Sequence, residues 1–215
     1  MAKETWTNLP ESKRARILEV AMREFGARGF SSGSLNVIAR EAGIAKGSLF
    51  QYFDDKLDLF ATVSEVASSG IQESVLVGVD LERDAYFVAL AALTRNWLQF
   101  FRANPLQRAM AVAAANELDP DARAAVQSVT NEHYLSVLVP LAKRAEARGE
   151  LQKGVDVDQL VAMTVMLLRH LDSAPFNSHT DPILGFAEKP PAAVERIALD
   201  LVAALERAFA KPKRR

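Results

Sequence analysis

Residues 35–53 combine a turn glycine with apolar side chains that are spaced for two short helices. Gly43 separates the two helices and can adopt the left-handed backbone that a tight helix–helix turn requires. Ala39, four residues earlier, is small enough to let the helices cross closely. The apolar positions of the pair are Ile38, Ile44, Leu49 and Phe53. This pattern is typical of a helix-turn-helix, whose second helix reads base edges in the major groove of DNA, although a generic helical hairpin would share part of it.

No spacing of catalytic side chains points to an enzyme. The three histidines, His133, His170 and His179, include no pair four residues apart that would bind a metal on one helix face. His170 and Asp172 are two residues apart, which places them on different faces of a helix. The chain also lacks cysteine, a Gly-rich phosphate loop and a Gly-x-Ser-x-Gly turn. We therefore expect no catalytic activity, no metal and no cofactor.

Helical periodicity runs through almost the whole chain, and strand signals are nearly absent. The pattern predicts nine helices, over residues 11–27, 35–42, 46–53, 54–77, 81–102, 106–116, 120–148, 157–174 and 191–209. Gly29 is expected to stop the first helix, and Pro140 to bend or divide the seventh. The predicted fold class is all-α, with the helix-turn-helix in residues 1–55 and a larger helical domain in residues 56–215.

Charge is distributed unevenly although the chain as a whole carries a net charge of only −1. Residues 1–57 hold nine basic and seven acidic side chains, which makes this part net positive. The remaining residues hold 17 basic and 20 acidic side chains and are net negative. This distribution is the one expected if the first domain meets a nucleic acid. The basic tail of Lys211, Lys213, Arg214 and Arg215 is interpreted as a solvated terminus. No apolar run approaches the roughly 20 residues of a membrane span, and residues 1–10 do not resemble a signal peptide. We therefore expect a cytoplasmic protein with no membrane partner.

Residues 16–60 resemble the TetR family of transcriptional regulators. The resemblance is carried by Ile17-Leu18-x-x-Ala21, Phe25, Gly29-Phe30, Ile38-Ala39, Ala42-Gly43-Ile44, Lys46-Gly47-Ser48-Leu49-Phe50-x-Tyr52-Phe53 and Lys56-x-x-Leu59. It implies a helix-turn-helix DNA-binding domain at 1–55 and a ligand-binding and dimerisation domain at 56–215. It also implies a homodimeric repressor that binds a palindromic double-stranded DNA operator and is released by a small hydrophobic effector. A helical ligand-binding or adaptor protein without DNA function is the alternative.

In such proteins the start of the second helix of the motif, the recognition helix, faces base edges. Lys46 could then donate to guanine and Gln51 could pair with adenine, while Tyr52 and Lys56 would hold the DNA backbone. A core aromatic is the alternative for Tyr52. The residues with an implied DNA-binding role are Ser34, Lys46, Gly47, Ser48, Phe50, Gln51, Tyr52 and Lys56. The chain departs from the family pattern at Gly33 (usually Thr), at Ala45 (usually a capping Ser) and at Phe50 (usually Tyr).

The resemblance also implies an effector cavity in the second domain. Candidate lining residues are Trp97, Phe100, Phe101, Met110, Asn116, His133, Met163, Met166 and His170. Ordinary core packing is the alternative for the apolar members. Residues 160–168 are apolar on every face except at Thr164, which favours a helix covered by a second copy of the chain. We therefore expect a homodimer through the helices near 157–174 and 191–209, with a fully buried central helix of a monomer as the alternative.

Overall fold

The structure is a computed structural model that describes residues 3–212, apart from the side chains of residues 128 and 129. Lys213, Arg214 and Arg215 of the basic tail lie outside the described residues. The α-helices are α1 (Glu4–Thr7), α2 (Glu11–Ser32), α3 (Leu35–Ala42), α4 (Lys46–Tyr52), α5 (Lys56–Val75), α6 (Tyr86–Ala103), α7 (Pro105–Ala115), α8 (Pro120–Ala147), α9 (Val157–Leu171) and α10 (Pro191–Phe209). Two short 3-10 helices cover Ala174–Phe176 and Phe186–Glu188. Residues 3–212 contain no β-strand, only one isolated bridge between Leu151 and Ala210, so the predicted all-α fold class is confirmed.

Nine of these helices lie where the periodicity predicts them, with ends shifted by a few residues. The additional helix is α1, whose four residues are too few to show a periodic pattern. Gly29 interrupts the helical backbone of α2 with a φ of +68° and a ψ of −176°, at the position where the first helix is expected to stop. Helical backbone then resumes, so α2 extends to Ser32.

Two other predicted features differ for local reasons. α6 begins at Tyr86 and not at residue 81, because the chain first forms a turn. In that turn the Asp80 carboxylate accepts the backbone N–H groups of Glu82 and Arg83 at 3.0 and 3.1 Å. α8 includes Pro140 within one helix, so the predicted division of the helix at that residue is wrong.

The described chain forms two compact units. Residues 3–71 and 104–131 form the first, called the head unit, and residues 72–103 and 132–212 form the second, called the body unit. The head unit contains the helix-turn-helix, most of α5, all of α7 and the first part of α8. The division into two compact units describes how the chain packs and does not test which residues bind DNA or ligand. The boundary expected between a DNA-binding domain at 1–55 and a ligand-binding domain at 56–215 therefore stays a prediction.

The core of the head unit is built from α2 to α5 together with α7 and α8. The ring of Phe60 in α5 packs against those of Phe25 and Phe30, with centroid distances of 5.1 and 5.4 Å. α2 and α7 approach very closely at Gly26, where an added Cβ would lie 2.9 Å from the Cβ of Ala109. The absence of a side chain at position 26 therefore lets α7 pack directly on the helix that precedes the helix-turn-helix.

The core of the body unit joins α6 to α9 and α10. Tyr86 and Thr164 are buried, and their hydroxyl oxygens lie 2.9 Å apart in a hydrogen bond. Burial raises the pKa of Tyr86 to about 12, and the hydrogen bond with Thr164 acts in the opposite direction. Thr164 is the polar residue within the apolar run 160–168, and this bond satisfies its hydroxyl inside the core.

α9 is not covered on every side. Leu160, Thr164 and Leu168 are buried, whereas Met163 and Met166 are 39% and 70% exposed. The alternative of a helix fully buried within one chain is therefore wrong, and an apolar face of α9 is open. No helix in the described part of the chain is both long and apolar enough to cross a membrane.

Candidate nucleic-acid interface

α3 and α4 form a helix-turn-helix around Gly43, which adopts the left-handed conformation (φ 72°, ψ 34°). The Gly43 N–H donates to the Arg40 carbonyl at 3.2 Å, and the Ile44 N–H donates to the Ala39 carbonyl at 3.0 Å. These two bonds close the end of α3 and redirect the chain into α4. The buried side chains of the pair include Ile38, Ala39, Leu49 and Phe53, and Ile44 is half-buried. The predicted pairing of two short helices around this glycine is confirmed.

One face of α4 is open to solvent. Leu49 and Tyr52 are buried against the core. The exposed side consists of Lys46, Gly47, Phe50 and Gln51, with Ser48 half-buried. The Phe50 side chain is 43% exposed, a large apolar surface for one residue. The second helix of the motif thus presents a cation, an amide and an aromatic ring on one side.

Gly47 has no packing reason to be a glycine. An added Cβ would meet no atom within 4 Å, and the backbone φ of Gly47 is not positive. Glycine within a helix is unfavourable by roughly 0.5–1 kcal/mol relative to alanine. The missing side chain leaves the backbone in the first turn of α4 open to close approach by another molecule.

The caps of the two helices differ. The Ser34 hydroxyl accepts the Val37 N–H at 3.4 Å and caps α3 as predicted. Ala45 provides no side-chain cap for α4, so the departure from the family pattern leaves that end of α4 without one. Gly33 is explained by packing, because an added Cβ would lie 2.6 Å from Cδ1 of Phe25. Threonine at position 33 would therefore require α2 to move.

Two predicted phosphate contacts are engaged within the chain. The Lys56 ammonium donates to the Ser31 carbonyl at 3.1 Å and lies 4.8 Å from the ring centroid of Phe30. Tyr52 is only 7% exposed, and its ring lies 6.1 Å from that of Trp6. The Tyr52 ring is therefore packed in the core, as the alternative interpretation of this residue expects. Contacts of Lys56 and Tyr52 with DNA stay predictions.

A single carboxylate ties the turn between α7 and α8 to the end of α2. Glu117 is buried; its Oε2 accepts the Phe30 N–H at 2.8 Å, and its Oε1 accepts the Ser31 hydroxyl at 3.4 Å. Oε1 also accepts the N–H groups of Leu118 and Asp119 at 3.0 and 3.1 Å. Burial raises the pKa of Glu117, but the bonds from three backbone N–H groups and the hydroxyl outweigh burial and leave the pKa lowered. The point at which the chain leaves α2 for α3 is thus fixed by this side chain.

Three candidate effector residues lie together in the body unit. The Trp97 ring centroid is 5.2 Å from that of Phe101, which is 5.7 Å from that of Phe100. Tyr134 of α8 packs on the same indole, with centroids 5.6 Å apart. The Trp97 indole N–H donates to Oδ1 of Asp172 at 2.8 Å. We call these five residues the aromatic cluster; it combines aromatic surface with one buried polar group, as small-molecule sites do.

Asp172 is a polar member of the aromatic cluster that no sequence pattern marks. Its partner Trp97 lies 75 positions away in the chain, so no local spacing reports their contact. Burial raises the pKa of Asp172 to about 8, while the hydrogen bond from Trp97 and the charge of Arg169 lower it. Burial in the cluster therefore favours the neutral form of this carboxyl group.

Two predicted effector residues belong to the head unit. Met110 is fully buried in the head core, so the alternative of ordinary core packing describes it. Asn116 is the C-cap residue of α7, and its side-chain amide donates to the Val112 carbonyl at 2.8 Å. Both side chains therefore have a structural role within the head unit.

The other candidates in the body unit lie on α8 and α9. Met163 and Met166 are exposed on α9. His133 is half-buried on α8. His170 pairs with Asp181, with 3.3 Å between Nε2 and Oδ2, so His170 and the aspartate two residues later face different partners as predicted. No group of three or more metal-ligating side chains occurs among the residues that the structure describes.

Comparison with known proteins places this geometry in a family. Residues 17–63 match the model of the family described as bacterial regulatory proteins, tetR family. The HTH-type transcriptional regulator AcrR of Shigella flexneri is 40% identical over 87 residues, which are 40% of this chain and 38% of AcrR. The HTH-type transcriptional regulator SrpR of Pseudomonas putida is 30% identical over 93 residues, 43% of each protein. The chain thus matches less than half the length of these curated relatives.

Solved structures extend the likeness to almost the whole chain. A TetR family transcriptional regulator from Chloroflexus aurantiacus covers 99% of this chain and 100% of its own, with 25% identity and a TM-score of 0.72. The regulator FadR from Bacillus subtilis, in complex with stearoyl-CoA, covers 87% of this chain and 96% of its own, with 17% identity and a TM-score of 0.71. The second likeness concerns the fold alone. The helix-turn-helix thus lies inside a segment that matches the tetR family, and the fold around it is similar to that of a TetR family transcriptional regulator.

Proposed function

We propose that this protein is a repressor that binds a palindromic operator as a homodimer and is released by a small hydrophobic effector. The observation that carries the proposal is the exposed face of α4. Lys46 can donate to guanine O6 and N7, and Gln51 can bond adenine N6 and N7. The exposed Phe50 ring suits the methyl group of thymine. Gly47 leaves room for the helix to enter the groove closely.

Binding to duplex DNA from the region upstream of the protein's own gene tests the proposal. We expect Lys46→Ala and Gln51→Ala to weaken binding by about 1–3 kcal/mol each, because each removes a base contact. Fluorescence anisotropy or gel-shift titrations at several salt concentrations measure the effect, and the affinity of the unchanged protein should fall steeply with salt.

Lys153→Ala is the matched control for Lys46→Ala, because Lys153 is an exposed lysine of the body unit. It should bind the duplex as the unchanged protein does. Equal losses in the Lys46 and Lys153 variants would contradict a base contact by α4. If the unchanged protein binds no DNA at all, the alternative of a ligand-binding or adaptor protein takes the place of the repressor.

The homodimer is the second part of the proposal, and the open face of α9 supports it. Met166 is 70% exposed and Met163 39% exposed within the apolar run 160–168 of α9. Leu201 and Leu205 of α10 are half-buried. Apolar surface of this kind is typically covered by a partner, and a two-fold dimer would set two recognition helices about 34–36 Å apart, as successive major grooves require.

We expect Met166→Lys to raise the dimer dissociation constant by at least about tenfold, because it would bury a charge at the interface. Analytical ultracentrifugation over a range of concentrations measures the change. Ile183→Lys is the control: Ile183 is 88% exposed in the segment between α9 and α10, and its substitution should leave the dimer intact. A Met166→Lys protein that remains as dimeric as the control would argue against this interface.

The effector is the third part of the proposal, and we place its site at the aromatic cluster of Trp97, Phe100, Phe101, Tyr134 and Asp172. Four aromatic rings around one buried carboxyl group, whose pKa is raised by burial, favour a hydrophobic ligand with one hydrogen-bonding group. FadR of Bacillus subtilis binds stearoyl-CoA in its structure, but the hydrophobic class proposed for this chain rests on its own side chains. Release requires the effector to prefer the DNA-free conformation, with a coupling of typically 1–3 kcal/mol.

A further inference from the structure

The segment before α2 contacts the C-terminal end of the recognition helix α4. The Lys3 backbone N–H donates to the Tyr52 carbonyl at 2.9 Å. The Lys3 ammonium donates to the carbonyls of Phe50 and Phe53 at 2.9 and 3.4 Å. The Thr5 hydroxyl donates to the Gln51 carbonyl. Four consecutive carbonyls at the end of α4 therefore receive their hydrogen bonds from two residues.

These carbonyls need partners from outside the helix. The last turn of any helix leaves its C=O groups without intrahelical N–H donors. α4 has only seven residues, and its N-terminus has no side-chain cap because position 45 is alanine. Isolated helices of this length are not stable in water. The packing of Leu49 and Tyr52 on the core and the external bonds at the C-terminal end therefore act together to hold α4 in shape.

The Lys3 ammonium has no donor left for DNA. It carries three N–H groups, and its three acceptors are the Phe50 carbonyl, the Phe53 carbonyl and Oδ1 of Asp54 at 3.1 Å. A positive charge at this end of α4 also complements the partial negative charge of the helix C-terminus. The geometry assigns Lys3 to the helix and not to a phosphate.

Trp6 completes the contact with apolar surface. The Trp6 side chain is buried, and its ring centroid lies 4.8 Å from that of Phe53 and 6.1 Å from that of Tyr52. We infer that residues 3–6 form an N-terminal clamp that positions the recognition helix for DNA, with Lys3 and Thr5 as positioning residues. The clamp itself follows from these contacts, and its consequence for DNA rests on the proposed function.

Thr5→Val tests the clamp without changing charge or shape. It removes the hydroxyl that bonds the Gln51 carbonyl, so amide hydrogen exchange over residues 46–53 of the free protein should quicken by about three- to tenfold. Affinity for the upstream duplex should fall by a similar factor. Thr7→Val is the matched control, because the Thr7 hydroxyl bonds the Glu4 carbonyl within its own helix at 2.8 Å. Thr5→Ser restores the hydroxyl and should restore both readouts.

A charge-balanced variant separates positioning from a phosphate contact. Lys3→Met with Asp54→Asn removes the ammonium and its carboxylate partner together. DNA affinity should fall by about tenfold, while the slope of log affinity against log salt should not change, since that slope counts neutralised phosphates.

The clamp would be overturned if amide hydrogen exchange over residues 46–53 were unchanged in Thr5→Val, or if Thr7→Val quickened it equally. Faster exchange in Thr5→Val with an unchanged affinity for the upstream duplex would also overturn it. A reduced salt slope in the Lys3 and Asp54 double variant would overturn it too, by making Lys3 a phosphate ligand. If the unchanged protein binds no DNA, the proposed function fails separately. The exchange comparison between Thr5→Val and Thr7→Val then decides the clamp by itself.

Discussion

Gly47→Ala is expected to abolish tight DNA binding while leaving the protein as stable as before or more so. The added Cβ meets no atom of the chain within 4 Å, and alanine in place of glycine stabilises a helix by roughly 0.5–1 kcal/mol. If α4 enters the major groove, the same methyl group would occupy space that the bases or phosphates need. The loss should be about 10- to 100-fold for each half-site, the range of a lost base contact.

Gly70→Ala is the matched control for this substitution. Gly70 also lies within a helix, α5, and an added Cβ there would likewise meet no atom within 4 Å. Denaturant unfolding should show both variants to be as stable as the unchanged protein or more stable. Titration with the upstream duplex should show a loss for Gly47→Ala alone. Normal DNA affinity in Gly47→Ala would remove Gly47 from the interface.

Glu117→Ala should lower the free energy of unfolding by about 3 kcal/mol or more. The Glu117 carboxylate accepts hydrogen bonds from the Phe30, Leu118 and Asp119 N–H groups and from the Ser31 hydroxyl. These four hydrogen bonds are part-buried, and each donor left without an acceptor costs up to about 1–3 kcal/mol. Thermal or denaturant unfolding measures the loss. Glu65→Ala, at an exposed position of α5, should have an effect within about 0.5 kcal/mol, and an equally small effect at Glu117 would contradict the role of this carboxylate.

The contribution of Glu117 should also depend on pH in a defined direction. Its pKa is lowered in the folded protein, so the folded state favours the ionised form more than the unfolded state does. The resulting stability is present above the unfolded pKa of about 4.3 and is lost as the pH falls through the folded value. The stability difference between the unchanged protein and Glu117→Gln should therefore shrink below about pH 4. A difference that stays constant from neutral to acidic pH would contradict this assignment.

The helix-turn-helix could be predicted from the sequence because its determinants are local. Gly43, the small residue four positions before it and the apolar positions around them all lie within 19 residues, and the structure places each as expected. Long helices were equally predictable from periodicity. Their ends were less so, because turns such as that at Asp80 depend on side-chain bonds to the backbone.

Features formed by distant parts of the chain could not be predicted. Glu117 and Phe30 are 87 positions apart, and Asp172 and Trp97 are 75 positions apart. Neither pair leaves a spacing that a pattern could detect. The N-terminal clamp is harder still, since Lys3 and Thr5 bond backbone carbonyls, which are the same for every residue type. Met110 illustrates the remaining ambiguity, because an apolar residue predicted to line a cavity serves equally well in a core.

The two tryptophans of the chain are distributed one to each compact unit. Trp6 lies against the end of the recognition helix, and Trp97 lies in the aromatic cluster with its indole N–H bonded to Asp172. Indole emission depends on the polarity and hydrogen bonding around the ring. Trp6→Phe would leave a fluorescent reporter of the body unit, and Trp97→Phe one of the recognition helix. The proposed binding of DNA and of an effector can thus be followed separately in one protein without any attached label.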